Sequence, residues 1–276
     1  MSTNVHLHDP QTLYQHWEEE QWSPWQIDLD RDRADWAERL GEEDRALVYW
    51  ALSSLMVAEE RITTKFAGLV MAGDSEEETT YLATQQVDEA RHMQFYARFQ
   101  DEVVAEPDTI AEHVARSREQ LGESFGVIFD GALVEAHDRL VAQPRDAVAK
   151  VEFVTTYHLV IEATLGLTAF EFITRYLSDQ GLLPGFVEGY SRIHHDEQRH
   201  IGYGIWFLRE AAAHNAELAE AIRRTLHALL PAVATALAPP ESDGVDFEAL
   251  GASGDEIRQF ALNGLTRRLR IIGVEL

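Results

Sequence analysis

An all-α protein, a four-helix bundle with additional helices around it, is the fold class that the sequence predicts. Three observations predict it. Proline and glycine, 8 and 17 of the 276 residues, are scarce inside long segments and gather between them. Strand-like alternation of apolar and polar residues is missing. Four segments carry apolar residues at 3–4 spacing, and each stripe is broken by acid near its middle.

The predicted long helices span 42–72, 76–105, 144–179, 184–213 and 215–238, with shorter ones within 108–141 and 254–273. Residues 1–35 read as an irregular lead-in, and WSPWQIDLDRDRADW at 22–36 ends in a helix start. The stretch 238–254, with Pro239-Pro240 and Asp243-Gly244, reads as a surface loop. No linker is long or polar enough to divide the chain, so 1–276 is expected to form one domain.

In the first long helix, Val48, Leu52, Leu55, Glu59, Ile62, Phe66 and Leu69 share a face. Glu60 is rotated by about 100° from Glu59, off the stripe. The second stripe runs Gln85, Glu89, His92, Tyr96, Phe99 and Val103. The third runs Val151, Thr155, His158, Glu162, Leu165, Ala169 and Phe172, and the fourth Phe186, Tyr190, Ile193, Glu197, His200, Gly204 and Phe207.

Bulk chemistry narrows the function. A net charge of −25 supplies no basic footprint for nucleic acid. The absence of cysteine removes disulfides, thiolate metal sites and iron–sulfur clusters, and suits a reducing cytoplasm. No uninterrupted apolar run reaches about 18 residues and no secretory leader is evident, so neither a membrane span nor export is expected.

Four buried, unpaired carboxylates would cost several kcal/mol each. Either arginines neutralise them or metal ions do. An internal repeat favours metal: Asp88-Glu89-Ala90-Arg91-His92 recurs as Asp196-Glu197-Gln198-Arg199-His200, and these are the only two Glu-x-x-His occurrences among 12 histidines. At i, i+3 the carboxylate and imidazole leave one helix face together. Glu59 and Glu162 from two further helices complete the donor set of a ferritin-like dinuclear bundle. Four carboxylates and two imidazoles suit iron or manganese, and offset the charge of two divalent ions. Asp88 and Asp196 are placed either to accept a hydrogen bond from a ligand imidazole across the bundle or to pair with Arg91 and Arg199.

These residues resemble the small, radical-generating subunit of ribonucleotide reductase and its relatives, from about Trp22 to the C-terminus. The resemblance rests on Trp22-Ser23-Pro24 leading to Ile27-Asp28, on Glu59, on both Asp-Glu-x-x-His motifs, and on Glu162 thirty-five residues before Glu197. It implies a helical homodimer that activates dioxygen at a centre of two irons or of one manganese and one iron. In the reductase branch, Tyr96 would hold a stable radical, and Trp22 and Asp196 would relay an electron. That branch also needs a C-terminal tyrosine, and none follows Tyr203.

The resemblance therefore points to the second branch, the ligand-binding oxidases. Their features imply a fatty-acid-like hydrophobic ligand in a channel to the metals, and an ether crosslink between Tyr157 and the residue at position 62. Ile62 stands where the family has valine, but it keeps a tertiary Cβ–H. Tyr157 lies five residues before Glu162, about 140° away on an ideal α-helix, so a π-bulge or another local distortion is required to bring it to the site. Without such chemistry Tyr96 and Tyr157 are core tyrosines bonded to carboxylates. Met56, Ile62, Phe66, Leu165, Leu167 and Phe170 are candidate cavity liners.

Overall fold

The structure, a computed structural model, describes residues 6–104, 108–119, 121–237 and 250–276. Every regular element among them is helical. Most of the expected loop at 238–254 lies outside the described residues.

Helix α1 (Pro10–Glu19) corrects the expectation of an irregular lead-in. The Asp9 carboxylate accepts the Thr12 amide at 2.8 Å and Pro10 occupies the first turn, which starts a helix where no long apolar stripe marks one. A 3₁₀ turn (Pro24–Gln26) and α2 (Asp30–Ala34), ending in a π turn at Asp35–Arg39, lead to α3 (Glu42–Lys65). The helix expected over 42–72 breaks after Lys65 into α4 (Ala67–Met71). There a tight bond from the Leu69 amide to the Phe66 carbonyl, 2.9 Å, replaces α-helical pairing.

Helix α5 (Glu76–Phe99) is capped by Ser75 and ends in a π turn at Gln100–Val104. The region 108–141 divides into α6 (Ile110–Arg118), α7 (Glu123–Gly126), a π turn (Val127–Ala132) and α8 (Leu133–Ala142). Next comes a continuous rod: α9 (Ala147–Val154), a π-helical segment Thr155–Gly166, and α10 (Leu167–Gln180). Helices α11 (Pro184–His214), α12 (Ala216–Ala236) and α13 (Gly254–Ile272) complete the chain.

The four acid-bearing elements are α3, α5, the rod and α11. Helix α5 packs on α3 and α11, and α11 packs on the π segment and α10. Helix α1 lies across α5 and α11, whereas α12 and α13 cover the rod. The rod meets the length and mean hydropathy (1.2) for crossing a membrane, although Lys150, Glu152, His158 and Glu162 interrupt its apolar run. Burial of 72% of that stretch within the protein accounts for its composition as core packing.

Two acids, Asp32 of α2 and Asp35 of the π turn after it, set the start of α11. Asp32, fully buried, accepts the amides of Gly185 (2.8 Å) and Phe186 (2.7 Å), and Asp35 accepts that of Leu183 (3.0 Å). Burial raises the Asp32 pKa while those amides oppose the rise. Leu183 takes a positive φ of 48° at this junction, where its own amide is bonded to Asp35 and those of Gly185 and Phe186 to Asp32.

The approach of α11 to the π segment depends on Gly204. A Cβ there would lie 2.3 Å from the His158 Cβ, whereas at Gly202 the nearest neighbour, Leu13 Cδ2, is 3.9 Å away. Gly204→Ala is expected to destabilise the protein by about 1–3 kcal/mol through overpacking. Gly202→Ala, on the same helix, is expected to stabilise it by up to about 1 kcal/mol through helix propensity. Urea unfolding of the two variants checks both signs.

Candidate metal centre

Four helices deliver six donors to one buried volume. Glu59, Glu89, His92 and Glu197 present ligand atoms within 4.8 Å of one another, and so do Glu89, Glu162, Glu197 and His200. Glu89 and Glu197 belong to both sets, which makes the arrangement that of two adjoining ion sites. His92 Nδ1 lies 3.6 Å from Glu59, 3.4 Å from Glu89 and 3.5 Å from Glu197. His200 Nδ1 lies 3.1 Å from Glu89, 3.4 Å from Glu162 and 3.8 Å from Glu197. Glu60 points away, toward Arg118 at 3.3 Å.

The donor atoms fit a pair of cations. Glu59 Oε2, Glu89 Oε2, Glu162 Oε2 and the Nδ1 atoms of both histidines are buried without a hydrogen-bond partner. Such atoms are rare in folded proteins and mark a ligand, an ion or a catalytic role. Without a cation the cluster shares protons instead. Burial pushes Glu59 up to about 8 against the opposing pull of His92. Burial likewise raises Glu162 and Glu197, each with help from a neighbouring carboxylate. Burial would raise Glu89 as well, but the two imidazoles hold it well below the usual range. For both histidines the surrounding carboxylates outweigh burial, and their pKa values rise well above normal.

The arginines neutralise other acids. Arg91 donates to Asp88 at 2.8 Å, while Arg199 donates to Asp88 at 3.2 Å and also to Asp196. The same aspartates face the imidazoles across the bundle: Asp196 Oδ2 is 3.2 Å from His92 Nε2, and Asp88 Oδ2 is 3.2 Å from His200 Nε2. Both arrangements weighed for Asp88 and Asp196 thus occur together. A carboxylate at Nε2 keeps the proton on that nitrogen and leaves Nδ1 free to bind metal. Trp22 Nε1 donates to Asp196 at 2.8 Å. Trp17, which sequence reasoning missed, donates to Asp88 at 2.9 Å. Its signal was the repeat itself, since a second Asp-Glu-x-x-His motif asks for a counterpart to Trp22.

The π segment resolves the placement of Tyr157. Bonds at i→i+5 bring residues five apart onto one face, so Tyr157 and Glu162 both reach the centre. The Tyr157 hydroxyl donates to Glu89 at 2.5 Å. His158, on the expected stripe and buried, faces Gln85 at 3.3 Å, and Gln85 donates to Glu162 at 3.1 Å. Burial keeps His158 neutral. Tyr96 is fully buried, its ring 5.6 Å from Phe95, 6.4 Å from Phe186 and 6.4 Å from Tyr190, and its hydroxyl has no partner.

A cavity of about 180 Å³ reaches Glu59, Glu162 and Glu197 between walls that include Leu55, Ile62, Phe125, Leu165, Ala169 and Phe172. Of the six candidate liners, Ile62 and Leu165 line it. Met56 and Phe66 are instead packed in the core with no exposed surface, and Phe170 stacks on His194 at 3.7 Å. Leu167 packs against the core cluster of the rod.

Residues 3–274 match the family model for the ribonucleotide reductase small chain. Among solved structures, a valine-to-leucine mutant of an R2-like ligand-binding oxidase with anaerobically reconstituted Mn/Fe cofactor superposes with a TM-score of 0.83 at 23% identity, covering 97% of this chain and 94% of that one. A glycine-to-leucine mutant, also with anaerobically reconstituted Mn/Fe cofactor, superposes with a TM-score of 0.84 at 22% identity and the same 97% and 94% coverage. A tyrosine-to-phenylalanine mutant with aerobically reconstituted Mn/Fe cofactor gives 0.83 at 22% identity, again over 97% and 94%. The expected all-α, ferritin-like bundle is the fold observed.

The shared protons impose a pH dependence on the metal-free chain. The raised histidines contribute stability that is complete below about pH 6.5 and is lost as pH rises through their elevated values. Glu59, Glu162 and Glu197 act in the same direction above about pH 4.5, because the folded state retains protons that the unfolded chain releases. Each excess bound proton lowers stability by about 1.4 kcal/mol per pH unit. Thermal unfolding of chelator-treated protein should therefore show a midpoint that falls between about pH 6.5 and 8, above the range in which the neutral His158 acts in the opposite direction, with manganese restoring more stability at the higher pH. A midpoint that rises over this range contradicts the assignment.

Proposed function

The chain belongs to the ribonucleotide reductase small-chain family, and from that premise we propose a dioxygen-dependent oxidase acting on a bound hydrophobic molecule. The observation that carries this reading is an apolar cavity that ends on the carboxylates of a two-ion site. Glu59 and His92 would hold one ion, Glu162 and His200 the other, and Glu89 and Glu197 would serve both. The pair would be manganese and iron or two irons, in keeping with the oxygen- and nitrogen-rich donor set. When bound, it supplies oxidising chemistry, driven by dioxygen, that side chains lack.

The chain's own residues perform the remaining work. Asp88 and Asp196 hold the imidazole protons on Nε2 and so present both Nδ1 atoms to the centre. Apolar walls exclude water and set a hydrophobic ligand against Glu59, Glu162 and Glu197. A fatty-acid-like molecule suits both the walls and the polar end. The Tyr157 hydroxyl donates a hydrogen bond to Glu89, and Ile62 lines the cavity three residues beyond Glu59. That arrangement supports an ether crosslink in which the tyrosine loses its O–H hydrogen and the isoleucine its Cβ hydrogen, the two protons and two electrons passing to dioxygen. Assembly as a homodimer, in the cytoplasm, belongs to the same proposal.

A second reading is favoured by one observation, the unpartnered Tyr96 hydroxyl in a closed aromatic shell. A phenoxyl radical there would be shielded from water, as a reductase radical subunit requires.

Three measurements separate these readings. Aerobic loading with manganese and ferrous iron should lower the intact mass by two hydrogens, mapped to the peptides holding Tyr157 and Ile62. Tyr157→Phe should keep the full mass and both metals, and an unmodified parent chain would sink the crosslink. Ala169→Trp, which fills the cavity, should abolish palmitate binding while two metals per chain remain; undiminished binding would remove the cavity from the argument. The oxidase reading expects no tyrosyl signal by electron paramagnetic resonance, and one lost in Tyr96→Phe would favour the radical subunit.

A further inference from the structure

The six residues from Trp17 to Trp22 touch every charged group behind the two imidazoles. Trp17 donates to Asp88 (2.9 Å), and Trp22 donates to Asp196 (2.8 Å). Glu20 accepts from Arg199 (2.7 Å), and Gln21 accepts from Arg91 (2.6 Å). Asp88 and Asp196 are 0% and 1% exposed, so water does not substitute for these bonds.

The two oxygens of Asp88 are divided between partners. Oδ1 receives Trp17 and Arg91, while Oδ2 faces His200 and Arg199. Loss of the indole N–H would leave Oδ1 with Arg91 as its donor and weaken the hold on the plane of the carboxylate. The bond that fixes the tautomer and ring plane of His200 would weaken with it.

We propose that Trp17 is a positioning residue for His200, acting through Asp88, and that α1 is thereby coupled to the His200 half of the metal centre. This rests on the reading of the cluster as a two-ion site. Trp17 bonds Asp88, so its effect falls mainly on the His200 half, although Arg199 and Arg91 each touch both aspartates. Trp22, through Asp196, faces His92 and serves the other half. A helix that merely covered the bundle would affect both halves alike.

The test uses manganese alone, with free Mn2+ followed by electron paramagnetic resonance. Glu59→Gln disables the His92 half and leaves the His200 half to be titrated, and Glu162→Gln does the reverse. In the Glu59→Gln background, Trp17→Phe should weaken Mn2+ binding about tenfold, the lower end for losing an outer bond to a ligating histidine, and Trp22→Phe should change it less than about twofold. In the Glu162→Gln background the order should invert. Equal weakening in both backgrounds, or none from Trp17→Phe, overturns the proposal. Failure of the unmodified chain to bind Mn2+ stoichiometrically overturns the metal reading itself, and the positioning role with it.

Amide exchange provides a check on the unmodified chain. By linkage, Mn2+ saturation should slow exchange in Pro10–Glu19 by about the same factor of ten. Trp17→Phe should remove that protection. Exchange in α1 that is indifferent to Mn2+ overturns the coupling.

Discussion

Concentrated negative charge in a dry interior is the constraint to which the rest of this molecule responds. Glu59, Glu89 and Glu162 are buried and Glu197 nearly so, in a volume where their ion-pair partners are imidazoles. The two arginines of the repeated motif sit one layer out, against Asp88 and Asp196. Charge is thus layered, with glutamates innermost, imidazoles among them, aspartates behind the imidazoles and arginines behind those. Each layer is tolerable only because the next opposes it. The innermost is completed by protons or by metal, and its unpartnered atoms favour metal.

The backbone around the centre answers to the same constraint. The segment carrying Tyr157 and Glu162 is π-helical over twelve residues, a conformation seldom sustained. It persists between α11 and α12, where Gly204 lets the backbones approach and apolar neighbours fill the remaining space. The gain is positional: a tyrosine and a glutamate five residues apart share one face. The buried Asp32 does related work at distance, anchoring the start of the helix that carries Glu197 and His200.

The centre also divides its surroundings. On the side of Ile62, Leu165 and Phe172 lies apolar space open to a ligand. On the side of Tyr96 and Phe186 aromatic rings fill the volume. Behind the histidines lie the polar layers closed by Trp17 to Trp22. These faces suit substrate, protected side-chain chemistry and ligand orientation respectively.

Much of this was legible in the residues alone. Periodicity placed Glu59, Glu89, His92, Glu162, Glu197 and His200 on inward stripes, and the structure gathers those six, because a buried stripe on an α-helix is a matter of local geometry. The same logic put His158 on the Glu162 face, where it is buried against Gln85, but it left Tyr157 off that face and offered as liners Met56, Phe66, Leu167 and Phe170, which pack elsewhere. The turn around Tyr157 is not α-helical, and which side of a buried face borders a cavity depends on neighbouring helices. Helix α1 escaped notice because a short helix capped by Asp9 carries no long stripe. The charge of the six donors and their repeat were written in the chain. A bond from a ligand imidazole to Asp88 or Asp196 was one of two arrangements the motif allowed. That it occurs together with the arginine pairing, and that Asp196 faces His92 while Asp88 faces His200, is decided only when the helices pack across one another, because these partners lie more than a hundred positions apart.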